Sequence, residues 1–242
     1  YHYCQAVGKS PKETIVSTRY LSQEAFAGGA LAAANHIAGF VGEVRLITCL
    51  GTEDSHEGFI RGRLKKNVRA DFFRLEGAST IVKRRFVDPA FLTKMFEVQY
   101  LQDAGLGPLT EERLVRRLER ILPRYDLVLV ADYGHGMIGR RAVEALCRRS
   151  RFLAVNTQTN SANLGYNVIT KYPRADYVCI DEPELRLAQR DRHGDLRRLV
   201  LDTAKAMRSG RVVAPRGHKG SLAWSRCIAT PIAAAASRPR TA

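Results

Sequence analysis

Residues Ala25 to Phe59 read AFAGGALAAANHIAGFVGEVRLITCLGTEDSHEGF. Gly28 and Gly29 supply a tight turn, and the small residues from Ala30 to Ala34 let a helix lie close against a sheet. Val44 to Leu50 is then an apolar run of strand length that ends at Gly51. Turn, small-residue helix, strand and a second Gly/Asp loop make the opening of an α/β packing unit.

Outward from this stretch the same alternation recurs. Strands are expected near Val44 to Cys49, Asp126 to Ala131, Phe152 to Val155, Tyr177 to Ile180 and Arg211 to Ala214, with helical segments between them as far as Arg208. Such alternation predicts a mostly parallel sheet with helices on both faces. Thr110, followed by Glu111 and Glu112, is expected to cap a helix that runs to about Leu122 and stops at Pro123. Between Asp71 and Gln102 the apolar period falls to two, which predicts antiparallel strands outside the main sheet. A chain of 242 residues, 45% apolar, has one domain with one large core as its default. Residues after Arg226 are rich in Ala, Pro and Arg, and 227–242 are expected to form a disordered tail.

The 39 basic and 24 acidic residues leave a formal charge of +15, and no Asp or Glu follows Asp202. An excess of this size suits phosphate-bearing or nucleic-acid partners. The arginines, however, sit on helices such as Glu111 to Leu122, where the apolar spacing leaves the charges on a solvated face. No stacking aromatics interleave them, so no specific nucleic-acid partner is expected. Five cysteines, odd in number and far apart, predict a reduced, cytoplasmic protein, and no Cys-x-x-Cys or His-x-x-x-His spacing offers a zinc site. No apolar run approaches the ~20 residues a bilayer requires, and Tyr1 to Ser10 has no export-signal pattern, so no membrane role is expected.

Several motifs carry two readings each. Gly134 to Gly139 has the Gly-x-Gly-x-x-Gly spacing of a dinucleotide loop, but the acidic residue expected about twenty positions on is replaced by Asn156-Thr157-Gln158-Thr159-Asn160. No P-loop occurs. Asp132, ending a central strand, is either a ligand contact at the carboxyl edge of an open sheet or a cap for the turn before Gly134. Asp181 and Glu184 could hold a hydrated magnesium ion, or they could dress a helix N-terminus that has Pro183 in its first turn. Gly217 and Gly220 allow close approach to a nucleotide, or form an ordinary hairpin loop between strands at Arg211 and Ser221. Lys83 and Arg85 project from one face of a strand and could grip a sugar phosphate, or they could protect a solvated edge strand by charge.

Taken in order, these pieces resemble the PfkB-type, ribokinase-like carbohydrate kinases, nearest to the heptose-phosphate kinases. Gly28-Gly29 is similar to the early loop that faces the sugar, and Gly51, Asp54 and Gly58 match the turn that follows the next strand. Thr80 to Arg85, with Phe91, Met95 and Tyr100 beyond it, resembles the basic strand pair. Asp132-Tyr133-Gly134-His135-Gly136 resembles Asp-Tyr-x-x-Gly, and Asp181 to Glu184 resembles Asn-x-x-Glu with Asp in place of Asn. Val212 to Gly220 resembles the Val-Thr-x-Gly-x-x-Gly nucleotide loop, with Pro215 where Thr is usual.

The resemblance spans residues 21–224. It implies a three-layer ribokinase-like α/β sandwich with a mostly parallel central sheet and a small antiparallel β lid, formed by strands near 12–20 and 71–102. It further implies ATP-dependent phosphorylation of a sugar or sugar phosphate, with ATP and Mg2+ as cofactors and a homodimer through the lid. Substrate contacts fall on Gly28, Gly29, Lys83, Arg85 and Asp132, nucleotide contacts on Arg216, Gly217 and Gly220, and metal contacts on Asp181 and Glu184. Departures accompany it: Ala32 stands at an early family Asn, with Asn35 one turn on, and Asn156 stands where many relatives carry Asp. The family's end piece, Asp-Thr-x-Gly-Ala-Gly-Asp, whose Asp takes the hydroxyl proton, has no counterpart after Trp224, so no catalytic residue is assigned. Both ends of the family domain are expected to be missing. The alternative is a non-catalytic ribokinase-like remnant or nucleotide-binding subunit.

Overall fold

The computed structural model describes residues 1–234 except Pro11, Thr14, Asp103, Ala104 and Ala162. The chain divides into two compact units, 1–102 and 103–242. Each of the three sheets is confined to one unit.

The first unit holds β1 (His2–Lys9), β2 (Val16–Gln23), α1 (Ala30–Ile37), β3 (Val44–Glu53), α2 (Glu57–Arg63), β4 (Val68–Ser79), β5 (Val82–Asp88) and β6 (Thr93–Tyr100). Four strands form a sheet in the order β2-β1-β5-β6, with antiparallel outer pairs and a short parallel contact at His2↔Phe86 and Tyr3↔Val87. This is the small β lid. Thr14, at the start of one expected lid strand, lies outside the described residues. Asp71 to Ser79 does not belong to the lid: it lies in β4, which pairs in parallel with β3. Two features account for the difference. Phe72 and Phe73 stand side by side and break the two-residue alternation, and α2 between the strands supplies the crossover that a parallel pair needs. The pair is pressed close at Gly51, where a Cβ would stand 2.1 Å from the Ala78 carbonyl oxygen. The helix α1 lies on β3 through Ala34 and Ala38 against Leu46 and Val68, as its small residues allow.

The second unit holds α3 (Pro108–Ile121), β7 (Val128–Asp132), α4 (Arg140–Arg149), β8 (Leu153–Thr157), β9 (Tyr177–Cys179), α5 (Glu182–Gln189), α6 (Leu196–Ala206), β10 (Arg211–Pro215), β11 (Ser221–Ser225) and β12 (Ile228–Ala234). Its six-stranded sheet runs β12-β11-β10-β9-β8-β7, parallel from β7 to β10 and antiparallel beyond. Val130, Leu153, Val155, Val178, Val212 and Ala214 bury its centre. Leu114, Val115, Leu118 and Ile121, at helical spacing on α3, are buried too. That helix starts three residues earlier than expected, with Gly107 as its cap, because the fixed φ of Pro108 suits the first helical position and leaves Thr110 inside the helix. The expected disordered tail is corrected over Ile228–Ala234, which pairs with β11. The β-branched Ile228, Thr230 and Ile232 favour extended backbone, and β11 offers them a free edge. Residues 235–242 of that expected tail lie outside the described residues.

All five cysteines are free. Among the described residues no helix is long and apolar enough to cross a membrane.

Candidate functional site

Parallel strands present their carboxyl ends along one edge of the sheet, and in the second unit Asp132, Asp181 and Arg216 stand at or just beyond the ends of β7, β9 and β10. What each does there differs from its place on the edge.

Asp132 is 4% exposed, and its carboxylate is filled from within. Oδ1 accepts from the Gly134 N–H at 3.0 Å and from Asn167 Nδ2 at 3.3 Å. Oδ2 accepts from the Tyr172 hydroxyl at 2.6 Å and faces Lys171 Nζ at 2.5 Å. Four donors leave no lone pair directed at a substrate, so the substrate role implied for Asp132 gives way to the turn-capping one. Around it the backbone of the β7 loop is held by asparagines. Asn160 and Asn163 each donate through Nδ2 to the Tyr133 carbonyl at 2.8 Å, and Asn167 donates to the Asp132 carbonyl at 2.9 Å. Gly134, at φ +71°, lies so close that a Cβ would stand 2.1 Å from Asn163 Nδ2. These asparagines, with Lys171 and Tyr172, were not singled out in the sequence. Their signal was the run of Asn at 156, 160, 163 and 167, a residue type that hydrogen-bonds turn backbone.

Asp181 caps α5, its Oδ1 accepting from the Glu184 N–H at 3.0 Å. Glu184 Oε1 accepts from the Thr159 N–H at 2.6 Å, while the neighbouring Gln158 N–H donates to the Asp132 carbonyl at 2.8 Å. One two-residue stretch after β8 therefore ties both acidic sites to the same edge. Burial first, and the like charge of Asp181 with it, push the Glu184 carboxyl up to about 7. Two close carboxylates are oxygen ligands of the kind a magnesium ion that keeps most of its waters can take. Among the described residues no group of three or more His, Cys, Asp or Glu could hold a metal by itself.

Beyond β10 the chain turns through Arg216 to Gly220. Gly217 and Gly220 take φ of +57° and +84°, values that glycine adopts without a Cβ penalty. The turn is closed by the Arg216 N–H to the Gly220 carbonyl at 2.8 Å and the Gly220 N–H to the Gly217 carbonyl at 3.1 Å. The N–H groups of Gly217 and His218 lie outside these bonds. β10 and β11 do form an antiparallel hairpin here, so the loop has the geometry common to both readings. Arg216 Nε donates to Glu182 Oε2 at 2.8 Å, which sets this loop beside the Asp181–Glu184 junction.

In the first unit Gly29 opens α1 at φ 57°, and Gly28 has no atom within 4 Å of where a Cβ would lie. Arg85 is not free to grip a phosphate. Its Nε donates to Glu97 Oε2 at 2.5 Å and its Nη1 to the Tyr1 hydroxyl at 3.1 Å, because Glu97 is its cross-strand partner in the β5–β6 ladder. Lys83 stands opposite Gln99 in the same ladder. Nor is β5 an edge strand, since it lies between β1 and β6.

No protein-family model matches the chain. Curated relatives exist at low identity. The chain is 24% identical to the bifunctional protein HldE of Nitratiruptor sp. over 141 residues, which cover 58% of this chain and 30% of that protein. With HldE of Koribacter versatilis it shares 24% over 233 residues, 95% of this chain and 46% of the other. The chain thus spans less than half the length of the curated relatives it matches. Among solved structures, phosphofructokinase-2 from Escherichia coli in complex with fructose-6-phosphate superposes with a TM-score of 0.69 at 12% identity, covering 100% of this chain and 78% of that one. Ribokinase from Thermotoga maritima gives 0.68 at 14%, covering 100% and 76%. The fold is therefore the ribokinase-like α/β fold. In sequence and fold together, the chain resembles the PfkB-type, ribokinase-like carbohydrate kinases.

Proposed function

We propose that the chain belongs to an enzyme that phosphorylates a sugar or sugar phosphate from ATP. The observation that carries this reading is the 2.8 Å bond between Arg216 and Glu182, which brings the Gly217–Gly220 loop against Asp181 and Glu184. A tight glycine-bearing loop suits the phosphates of a nucleotide, and a carboxylate pair beside it suits the magnesium that travels with them. Magnesium-ATP, when bound, supplies the transferable phosphoryl group and offsets its charge. The chain's own residues orient it: Arg216, Gly217 and Gly220 toward the nucleotide, Asp181 and Glu184 toward the metal. Gly28, Gly29 and Lys83 remain the proposed sugar contacts. With five free cysteines we place the protein in the cytoplasm, and we assign dimerisation to the lid, as the family resemblance implies.

A second reading, nucleotide binding without phosphoryl transfer by these residues, is favoured by the state of Asp132. As a buried carboxylate with four donors it cannot serve as the base for an incoming hydroxyl.

The test uses the single tryptophan, Trp224 in β11, whose fluorescence follows unfolding of the second unit. Magnesium-ATP at ten times its Kd should stabilise that unit by about 1.4 kcal/mol and raise its melting temperature. An unchanged melt at millimolar magnesium-ATP would rule out both readings. A shift without transfer of labelled phosphate to any sugar or sugar phosphate selects the second.

A further inference from the structure

Glu182 was not among the residues the sequence singled out, yet its carboxylate accepts three hydrogen bonds at the junction of the two loops. Oε1 accepts from Arg186 Nε at 3.0 Å and Nη2 at 2.8 Å, and Oε2 accepts from Arg216 Nε at 2.8 Å. Arg186 is fixed in turn, its Nη1 donating to the Gly194 carbonyl at 2.9 Å. The triad combines one negative and two positive charges and is net cationic.

We propose that Glu182 is a positioning residue for phosphate recognition: it orients Arg216 so that its terminal nitrogens face the phosphates of a nucleotide on the Gly217–Gly220 loop. This rests on the nucleotide reading given above. The geometry carries three points. The pair to Glu182 uses Nε of Arg216 and leaves Nη1 and Nη2 outside the bond, and these are the nitrogens that form the bidentate fork on phosphate. The carboxylate cannot follow Arg216 away from the loop, because Arg186 and the Gly194 carbonyl hold it from the other side. A long side chain fixed before the ligand arrives loses little entropy on binding, a saving of up to about tenfold in affinity. Glu182 also follows Asp181 directly in sequence, so its bond to Arg216 joins the Gly217–Gly220 loop to the Asp181–Glu184 junction.

The test compares Kd values of the whole chain for magnesium-ATP and for adenosine, which lacks phosphate. Glu182→Gln should weaken ATP about tenfold and leave adenosine unchanged. Arg216→Gln should do the same, and the double variant should lose no more than either alone. Equal weakening of ATP and adenosine would mark a merely structural role and overturn the proposal, as would an unchanged or tighter Kd for ATP in Glu182→Gln. Should Glu182→Gln fail to fold, Arg186→Gln, which frees Glu182 without touching Arg216, must show the same phosphate-selective loss. Failure of the wild-type chain to bind ATP at all would instead strike the nucleotide reading itself, before any variant is compared.

Discussion

Removing one oxygen from the core of the second unit tests how Asp132 is held. Tyr172 is fully buried, and burial together with the charge of Asp132 keeps its hydroxyl protonated far above the ordinary phenol range. In Tyr172→Phe the carboxylate loses its 2.6 Å donor but keeps Lys171, Asn167 and the Gly134 N–H. A hydrogen bond to a charged group is worth about 1.5–3 kcal/mol net, and with three donors remaining the lower end applies, about 1.5 kcal/mol. Asp132→Ala is worse. It strands the Tyr172 hydroxyl and the Gly134 N–H without an acceptor, at about 1–3 kcal/mol each, or about 2–6 kcal/mol in all. Lys171 adds little to that, because its side chain is 27% exposed and still reaches Asn167 Oδ1 at 2.7 Å. In the double variant there is neither a hydroxyl to strand nor a carboxylate to lose its donor, so the two losses should fall short of their sum by about 2.5–4.5 kcal/mol. Urea unfolding followed at Trp224 measures all three variants in the unit that contains them, with midpoints shifting at constant slope. Additive losses, or a cost below about 1 kcal/mol for Asp132→Ala, would show that the carboxylate does not organise this loop.

Two further outcomes separate fold from function. Gly51→Ala should open the β3–β4 pair, since its Cβ would meet backbone at 2.1–2.6 Å, a clash costing about 1–3 kcal/mol or more; hydrogen exchange over residues 44–79 reads the loss. Gly28→Ala meets nothing within 4 Å and should leave stability unchanged, so any fall in sugar affinity from it is a contact effect, and a destabilised fold would contradict the open geometry. Glu184, with a native pKa near 7 against the ordinary 4.5, binds a proton in the folded chain at pH values where the unfolded chain has released it. In metal-free buffer stability should therefore fall as pH rises from about 4.5 to about 7, and Glu184→Gln should flatten that slope; an identical slope in the variant would place the titration elsewhere.

The strands β7, β8 and β10 were legible because strands buried in a parallel sheet are continuous apolar runs, as in Val128–Ala131 and Leu153–Val155. The β1 strand was not. HYCQAVGK is mixed in polarity, and its partners in β5 are Phe86 and Val87, far along the chain. The direction of β4 was hidden for a related reason, since period-two patterning marks a half-buried strand without saying which way its neighbour runs. At the site, the positions on the carboxyl edge could be read from strand ends alone, but the use of each side chain could not. Asp132 turns inward because of a tyrosine 40 residues on, Arg85 is held by Glu97 across a hairpin, and Arg216 meets Glu182 34 residues back. Such commitments depend on which charges the fold brings together, and no local pattern encodes them.

The strand order of the second unit has a consequence for synthesis. From β7 to β12 each strand pairs with the next one made, so this sheet can lengthen at one edge as the chain leaves the ribosome, and no strand waits for a distant partner. The lid obeys a different schedule. β1 bonds to β2 at once but must wait for Phe86 and Val87 before its other edge is covered, so the earliest strand of this unit is among the last to be sealed.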